Sequence, residues 1–278
     1  MNETEEREGL QEPPEQPEPP RVRNGSPGRK VTLPPDADLE RLVHDPSPEI
    51  VIAVAGDSRL SEDLALALLN RRDLPREALE ALSKNGHVAK QRKVRLALVT
   101  HPHTPRHVSV PTIRHIYTFE LMQVALLPSV PPDVKRAAEE VLMGRLASIA
   151  SGERLTLAKQ GSGRVASALL LDREERIMQA ALANPQMTEV WIVKALKSET
   201  GTELLAPAVA RHQKWSFRNE VKAALLGNKH TPPARMIQLA GELPVNLVKD
   251  VLHSGRLSPQ TKNSLMAVLK KRNLKFEI

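Results

Sequence analysis

The chain has 278 residues, no cysteine, and a formal charge of +7 from 40 Lys and Arg against 33 Asp and Glu. The missing thiol excludes a disulfide framework, a thiolate metal site and cysteine-based catalysis. Only six residues are aromatic, which disfavours an aromatic-lined ligand pocket or a base-stacking surface, and no apolar run is long enough to cross a bilayer.

Residues 1–37 hold seven Glu and eight Pro and almost no aliphatic side chains. Such a segment cannot bury enough surface to offset its ordering entropy, so a disordered tail is expected. Its acidic half, Glu3 to Glu18, precedes a small basic cluster of Arg21, Arg23, Arg29 and Lys30. The tail reads as a solvating arm, a tether for a partner, or a mask for a basic surface elsewhere in the chain. The acidic start has no apolar core and is not a signal peptide; a cytoplasmic protein is expected.

From residue 38 the predicted elements are short helices (domain 38–278). Corners recur about every fourteen residues. They fall at Ser47-Pro48, Ser61-Glu62, Leu74-Pro75, Thr104-Pro105, Thr118, Pro131-Pro132, Thr188-Glu189, Thr202-Glu203, Ser216, Thr231-Pro232, Pro244 and Ser258-Pro259. A hydroxyl caps an orphan N–H, Pro at the first helical position loses no hydrogen bond, and Glu there suits the helix dipole. An apolar triplet precedes the corners at i, i+3 and i+4, one face of a helix. The set is Val51/Val54/Ala55, Ala65/Leu68/Leu69, Val94/Ala97/Leu98, Leu121/Val124/Ala125, Met178/Ala181/Leu182, Ile192/Ala195/Leu196, Ala206/Val209/Ala210, Val221/Ala224/Leu225 and Val248/Val251/Leu252. With 40% apolar residues one triplet arises by chance in about one window in sixteen; nine do not.

Four windows depart from the pattern. Residues 108–117 carry Pro111 and lack the triplet. Asp133 to Ser148 reads as one longer helix with Glu139 and Glu140 on its polar side. Pro207 shortens or kinks any helix begun at Thr202, and Lys159–Gly163 reads as a looser loop. About sixteen short helices are expected, paired into seven or eight repeats, because one such unit cannot bury its apolar face alone.

The corners Asn184-Pro185-Gln-Met-Thr188, His101-Pro102-His-Thr104-Pro105 and Asn228-Lys-His-Thr231-Pro232, with their Val-x-x-Ala-Leu helices, resemble the bacterial leucine-rich-repeat-variant and HEAT-like repeat proteins. That resemblance, over about residues 40–272, implies an all-α, right-handed α-solenoid used for binding other proteins. The repeats here are longer and less uniform, and the N-terminal cysteines that hold an iron–sulfur cluster in some members are missing, so no cofactor is expected.

Two constellations invite chemistry. His101, His103 and His107 have a spacing that can ligate zinc. His103, however, holds the place taken elsewhere by Leu60, Val130, Met187, His230 and Leu257, and reads as structural. Gly161-Ser-Gly163-Arg164 lacks the remainder of a phosphate-binding pattern and reads as a loop between helices. The charge map says more. Between Glu80 and Glu120 no residue is acidic, while Lys84, Lys90, Arg92, Lys93, Arg95, Arg106 and Arg114 supply seven positive charges. Further basic stretches lie at 211–235 and 270–275. If the helices around 90 and 106 share a concave face, they form a groove for anions. The sequence thus predicts a non-catalytic scaffold that binds an acidic protein surface through Lys90, Arg92, Lys93, Arg95, Arg106 and Arg114. Nucleic-acid binding is the alternative. Trp191 and Trp215 are secondary contact candidates, with burial between helices the expected fate of both.

Overall fold

The computed structural model describes residues 31–199, 202–254 and 257–273, which form short helices joined at tight corners. The helix α1 (Leu39–Leu42) opens on Asp38, whose carboxylate accepts from the Glu40 and Arg41 amides. Next come α2 (Pro48–Gly56), with Pro at its first position, and α3 (Glu62–Leu69), capped by the Ser61 hydroxyl on the Leu64 amide. Helices α4 (Arg76–Lys84), α5 (Arg92–Thr100), α6 (Arg106–Ile113) and α7 (Thr118–Leu126) follow. The longer α8 (Pro132–Arg145) precedes α9 (Ser151–Gln160), α10 (Gly163–Leu169), α11 (Glu175–Leu182) and α12 (Glu189–Leu196). The last five are α13 (Leu205–Arg211), α14 (Asn219–Leu226), α15 (Pro233–Glu242), α16 (Val245–His253) and α17 (Pro259–Asn273). Among the described residues these are the seventeen helices and there is no strand, so the chain is all-α. Of the expected tail, residues 1–30 lie outside the described residues.

Helices this short are marginal alone in water, so packing must hold them. Of the 27 triplet residues, 23 are buried. The other four, Ala97, Ala210, Val251 and Leu252, are half-buried against the same core. Packing follows two alternating series. On one side α2 meets α4, and α6, α8, α10, α12, α14 and α16 follow one another; on the other α3, α5 and α7 are neighbours, as are α9, α11 and α13, and then α15 and α17. The core divides into two clusters. One runs from Leu39 to Val108; the other begins with Val99 and Ile113 and reaches Leu269. They meet at α5 and α6.

The corners are tied to one another by side chains that reach back two helices. Asn85 donates to the Ala55 and Asp57 carbonyls at 3.1 and 2.9 Å, at the end of α2. Asn184 donates to those of Ala158 and Gly161 at 2.8 and 3.1 Å, and Asn228 to that of Leu196 at 2.6 Å. The side-chain oxygen of each Asn accepts the amide two residues on, which fixes its own corner. Arginines and Trp215 do the same work at other corners. Arg71 reaches Val43 and Asp45, Arg145 reaches Arg114 and Ile116, Arg272 reaches Ala240 and Leu243, and the Trp215 indole reaches Leu182. Helix ends leave carbonyls without intrahelical partners. Here the next corner but one supplies the donor.

Several expectations need correction. Thr104 and Thr231 do not cap the following helix, because Pro105 and Pro232 hold that place. Their buried hydroxyls donate backwards to Leu98 and Leu225 at 2.6 and 2.7 Å. The helix start is therefore one residue later there, Thr104 fills the apolar slot, and His103 is exposed rather than packed. The helix at Pro207 is short, as expected, at 7 residues, but it begins at Leu205 rather than Thr202, so Pro207 lies in its first turn, where no N–H is needed. Glu139 is not solvated. It accepts from Ser162 Oγ at 2.5 Å and faces Arg164 at 3.5 Å. The 159–163 loop is tight, reduced to Gly161 and Ser162 between α9 and α10.

Candidate partner-binding surface

The linear stretch without acidic residues is not acid-free in space. The acids that flank it fold onto it. Arg92 Nε lies 2.5 Å from Glu120 on α7, Arg106 faces Asp133 on α8 at 3.7 Å, and His107 meets Glu80 of α4 at 3.2 Å. Arg95 turns to the Ala89 carbonyl at 3.2 Å. Lys90, Lys93 and Arg114 are exposed with no ion pair among the described residues. Arg92 and Arg106 do not share a surface: Arg92 reaches along the side of α5 and α7, and Arg106 along that of α6 and α8.

What the structure adds is an aromatic surface beside α5. The Arg92 guanidinium stacks 4.6 Å from the Tyr117 ring centroid. Tyr117 is 60% exposed and Phe119 43%, large values for side chains of this size. The only ionisable group on α7, Glu120, is buried, where its second oxygen accepts the Tyr117 amide at 3.3 Å. The outer side of α7 therefore carries Thr118, Phe119, Met122, Gln123 and Leu126, ending at exposed Leu127, without a charge.

The basic groups beside it are placed against their own helix. Arg92 and Lys93 occupy the first turn of α5, which has no acid, whereas α2, α3, α4, α11 and α12 each carry Glu there. Cations at a helix N-terminus oppose the macrodipole at a cost of about 0.3–1 kcal/mol each.

Of the three histidines it is His101, not His103 as expected, that has a structural role. His101 is 6% exposed, donates through Nε2 to Arg71 O at 2.9 Å, and accepts the His103 amide on Nδ1 at 3.3 Å. It is the counterpart of the corner asparagines, and both ring nitrogens are spent. His212 repeats the motif, with Nδ1 accepting the Lys214 amide at 3.2 Å. Among the described residues no group of three or more His, Asp or Glu is placed to hold a metal ion.

Burial pushes the His101 and His212 imidazoles below the usual value, with the neighbouring His103 and Lys214 acting in the same direction. An unfolded chain takes up these protons near pH 6.5 and the folded one resists, so stability is full above about pH 6.5 and falls as pH drops below it. The carboxyls act lower. Ser151 and Arg176 beside Glu174, and Lys222 beside Glu242, hold them below the ordinary carboxylate range. Urea unfolding is expected to show a loss of stability as pH falls below about 6.5 that His101→Asn reduces, since Asn makes the same contacts at three other corners. An unaltered pH slope in that variant would disprove the assignment.

Trp215 is buried and bonded as described above. Trp191 is half-buried, with Lys194 Nζ 5.4 Å from its ring centroid, and lines an open groove of about 360 Å³ with Met143, Arg164 and Leu171. A second groove of about 370 Å³ lies between α12, α14 and α16 and includes Glu220, Leu247 and Asp250. No described helix is long and apolar enough to cross a membrane. Comparison with known protein families, with characterised proteins and with solved structures finds no match.

Proposed function

We propose that this chain is a right-handed α-solenoid whose α5–α7 surface binds an acidic protein segment carrying an aromatic or aliphatic anchor. The observation that carries the reading is the exposure of Tyr117 and Phe119 on an uncharged helix side, with Arg92 of the helix beside it stacked on Tyr117 and exposed Lys93 next to Arg92 in the same first turn. Aromatic and Arg groups dominate binding energy at interfaces, and a charged rim steers the partner. The two alternating helix series and corners that bond every second helix support the solenoid reading. The role is that of a scaffold without catalysis. The titratable groups with displaced pKa, His101 and His212 among them, are each engaged in holding a corner or an ion pair.

A peptide-display selection against the full chain tests this. It is expected to enrich peptides with Asp or Glu around a Trp, Phe or Leu. Phe119→Ala should weaken an enriched peptide about tenfold or more, as for a contact at the centre of an interface. Lys93→Glu should also weaken it, yet raise the stability of the protein by about 0.5–1 kcal/mol through the helix dipole. Enrichment without acidic residues, or binding indifferent to both substitutions, would reject the surface. Tight binding of duplex DNA or RNA with a steep salt dependence would favour the nucleic-acid reading instead.

A further inference from the structure

We infer that the helix array is jointed between α5 and α6 and that the partner surface straddles the joint. Residues 31–100 form one block and residues 106–273 the other, and a partner that touches both α5 and α7 sets the angle between them. The joint stands on packing and ion pairs; its part in binding rests on the assignment of the α5–α7 patch as the partner surface.

The first support is how the core divides. The two buried clusters have no member in common, and the change falls within α5 and α6. Val94 and Leu98 of α5 and Val108 of α6 belong to the first cluster, Val99 and Ile113 to the second. In the series that runs from α2 through α4 and α6 to α16, the step from α4 to α6 falls short of the packing found at every other step. The helix α6 is itself poorly built. Ser109 is part of its buried face, where α2, α3, α4 and α5 bury only apolar side chains. Pro111 lies inside it and removes one intrahelical hydrogen bond.

The polar ties divide at the same place. Asn85 and His101 reach back to Ala55, Asp57 and Arg71 within the first block, and Arg145 reaches Arg114 and Ile116 within the second. Among the described residues no such corner bond spans the joint. Two side-chain pairs do, one on each helix series. Arg92 meets Glu120 between α5 and α7, with its guanidinium stacked on Tyr117, and His107 meets Glu80 between α6 and α4. The Arg92 and His107 side chains are 62% and 66% exposed. Pairs so exposed shift an equilibrium by a factor of about 1.5–5 each and weaken with salt.

The partner surface is divided by this joint. Arg92 and Lys93 open α5, which is tied to the first block, while Tyr117 and Phe119 open α7, which packs in the second cluster. The angle described here, with Arg92 on Tyr117, is the closed one. A partner that spans both helices makes all its contacts only at that angle. Binding and closure are therefore linked, each favouring the other by the same factor.

The chain has no cysteine, so spin labels on introduced cysteines report only the positions chosen. Labels on Arg72→Cys and Gln160→Cys, both exposed positions, bracket the joint; labels on Gln160→Cys and Lys229→Cys lie within the second block. Double electron–electron resonance on the full chain is expected to give a broader distance distribution for the first pair than for the second. Arg92→Gln and Glu80→Gln should each lower the closed-to-open ratio about 1.5- to 5-fold and leave the second pair unchanged. A Glu-rich peptide bearing a central Trp should narrow the first distribution again in the Glu80→Gln protein, whose substitution lies outside the α5–α7 surface. Equal widths for both pairs, unaltered by either substitution, overturn the joint. A peptide that binds without narrowing the first distribution overturns the link between joint and binding. If the peptide does not bind and the first pair is still the broader, the surface assignment fails and the joint stands.

Discussion

Replacing Asn184 by alanine is expected to lower the unfolding free energy by about 3 kcal/mol, the largest loss for any single polar side chain in the fold. Asn184 is 2% exposed. Its amide group donates to Ala158 O at 2.8 Å and Gly161 O at 3.1 Å, and its oxygen accepts the Gln186 amide at 2.7 Å. A net contribution of about 1 kcal/mol per bond understates the effect, because alanine leaves buried backbone groups without partners. Asp is expected to be worse than Ala, since it removes both donors and places a charge in the core. His is expected to be better, because His101 fills the same role with one nitrogen as donor and the other as acceptor. Urea unfolding followed by circular dichroism checks the series. A loss below about 0.5 kcal/mol for Asn184→Ala, the range of an ordinary surface change, would show that the corner bonds add nothing to the packing.

The triplets were legible because burial on a short helix obeys a local period. Val51, Val54 and Ala55, or Val221, Ala224 and Leu225, could be assigned to a core without knowing their neighbours, and all six are buried. Corners with Pro were equally legible: Pro48, Pro132 and Pro259 each open a helix where expected. The starts of α5, α9, α10 and α11 were not placed. They follow Gln91, Ala150, Ser162 and Glu174, three of which are not hydroxyl or Pro caps, and the fourth sits in a Gly-Ser-Gly run that reads as a loop. The direction in which Thr104 and Thr231 bond was hidden because a hydroxyl can serve either end of a helix. The corner bonds depend on which corners stack, which no local pattern states. Their signal was nonetheless present, in Asn and His alternating at 101, 184 and 228 in otherwise similar corners.

The surface was half legible. Its cations stood out by charge, but charge read along the chain ignores acids brought in from elsewhere, and Glu80 and Glu120, which bound the stretch, and Asp133 beyond it each pair with its side chains. The aromatic half could have been found. Leu121 faces the core, so Phe119, two residues earlier, falls on the opposite side of α7. Scarcity of aromatics argues against an aromatic surface only when their placement is ignored: Tyr117, Phe119 and Phe217 are all exposed.

Gly163→Ala is expected to destabilise the protein by about 2–4 kcal/mol, against the usual preference of helices for alanine. The substitution lies at the first position of α10, where a glycine would ordinarily be replaced with a gain of about 0.4–1 kcal/mol from the unfolded chain. Contact with the next corner but one decides the sign. A Cβ at Gly163 would meet the Gln186 carbonyl oxygen well inside van der Waals contact and stand 3.3 Å from its carbon, both backbone atoms that no rotamer change can withdraw. Moving Gln186 away pulls on Asn184, whose oxygen holds the Gln186 amide and whose amide group holds the α9 end. Gly163 and Asn184 therefore act on one stacked joint from its two sides. A double-mutant cycle of Gly163→Ala with Asn184→Ala is expected to be less than additive by about 1 kcal/mol or more, because the joint opened by the first substitution has already lost part of what Asn184 supplies. Additive losses would mean that the close approach and the asparagine bonds are independent. A neutral or stabilising Gly163→Ala would mean that the corners do not pack backbone to backbone, and the coupling of every second helix through its corners would lose its geometric basis.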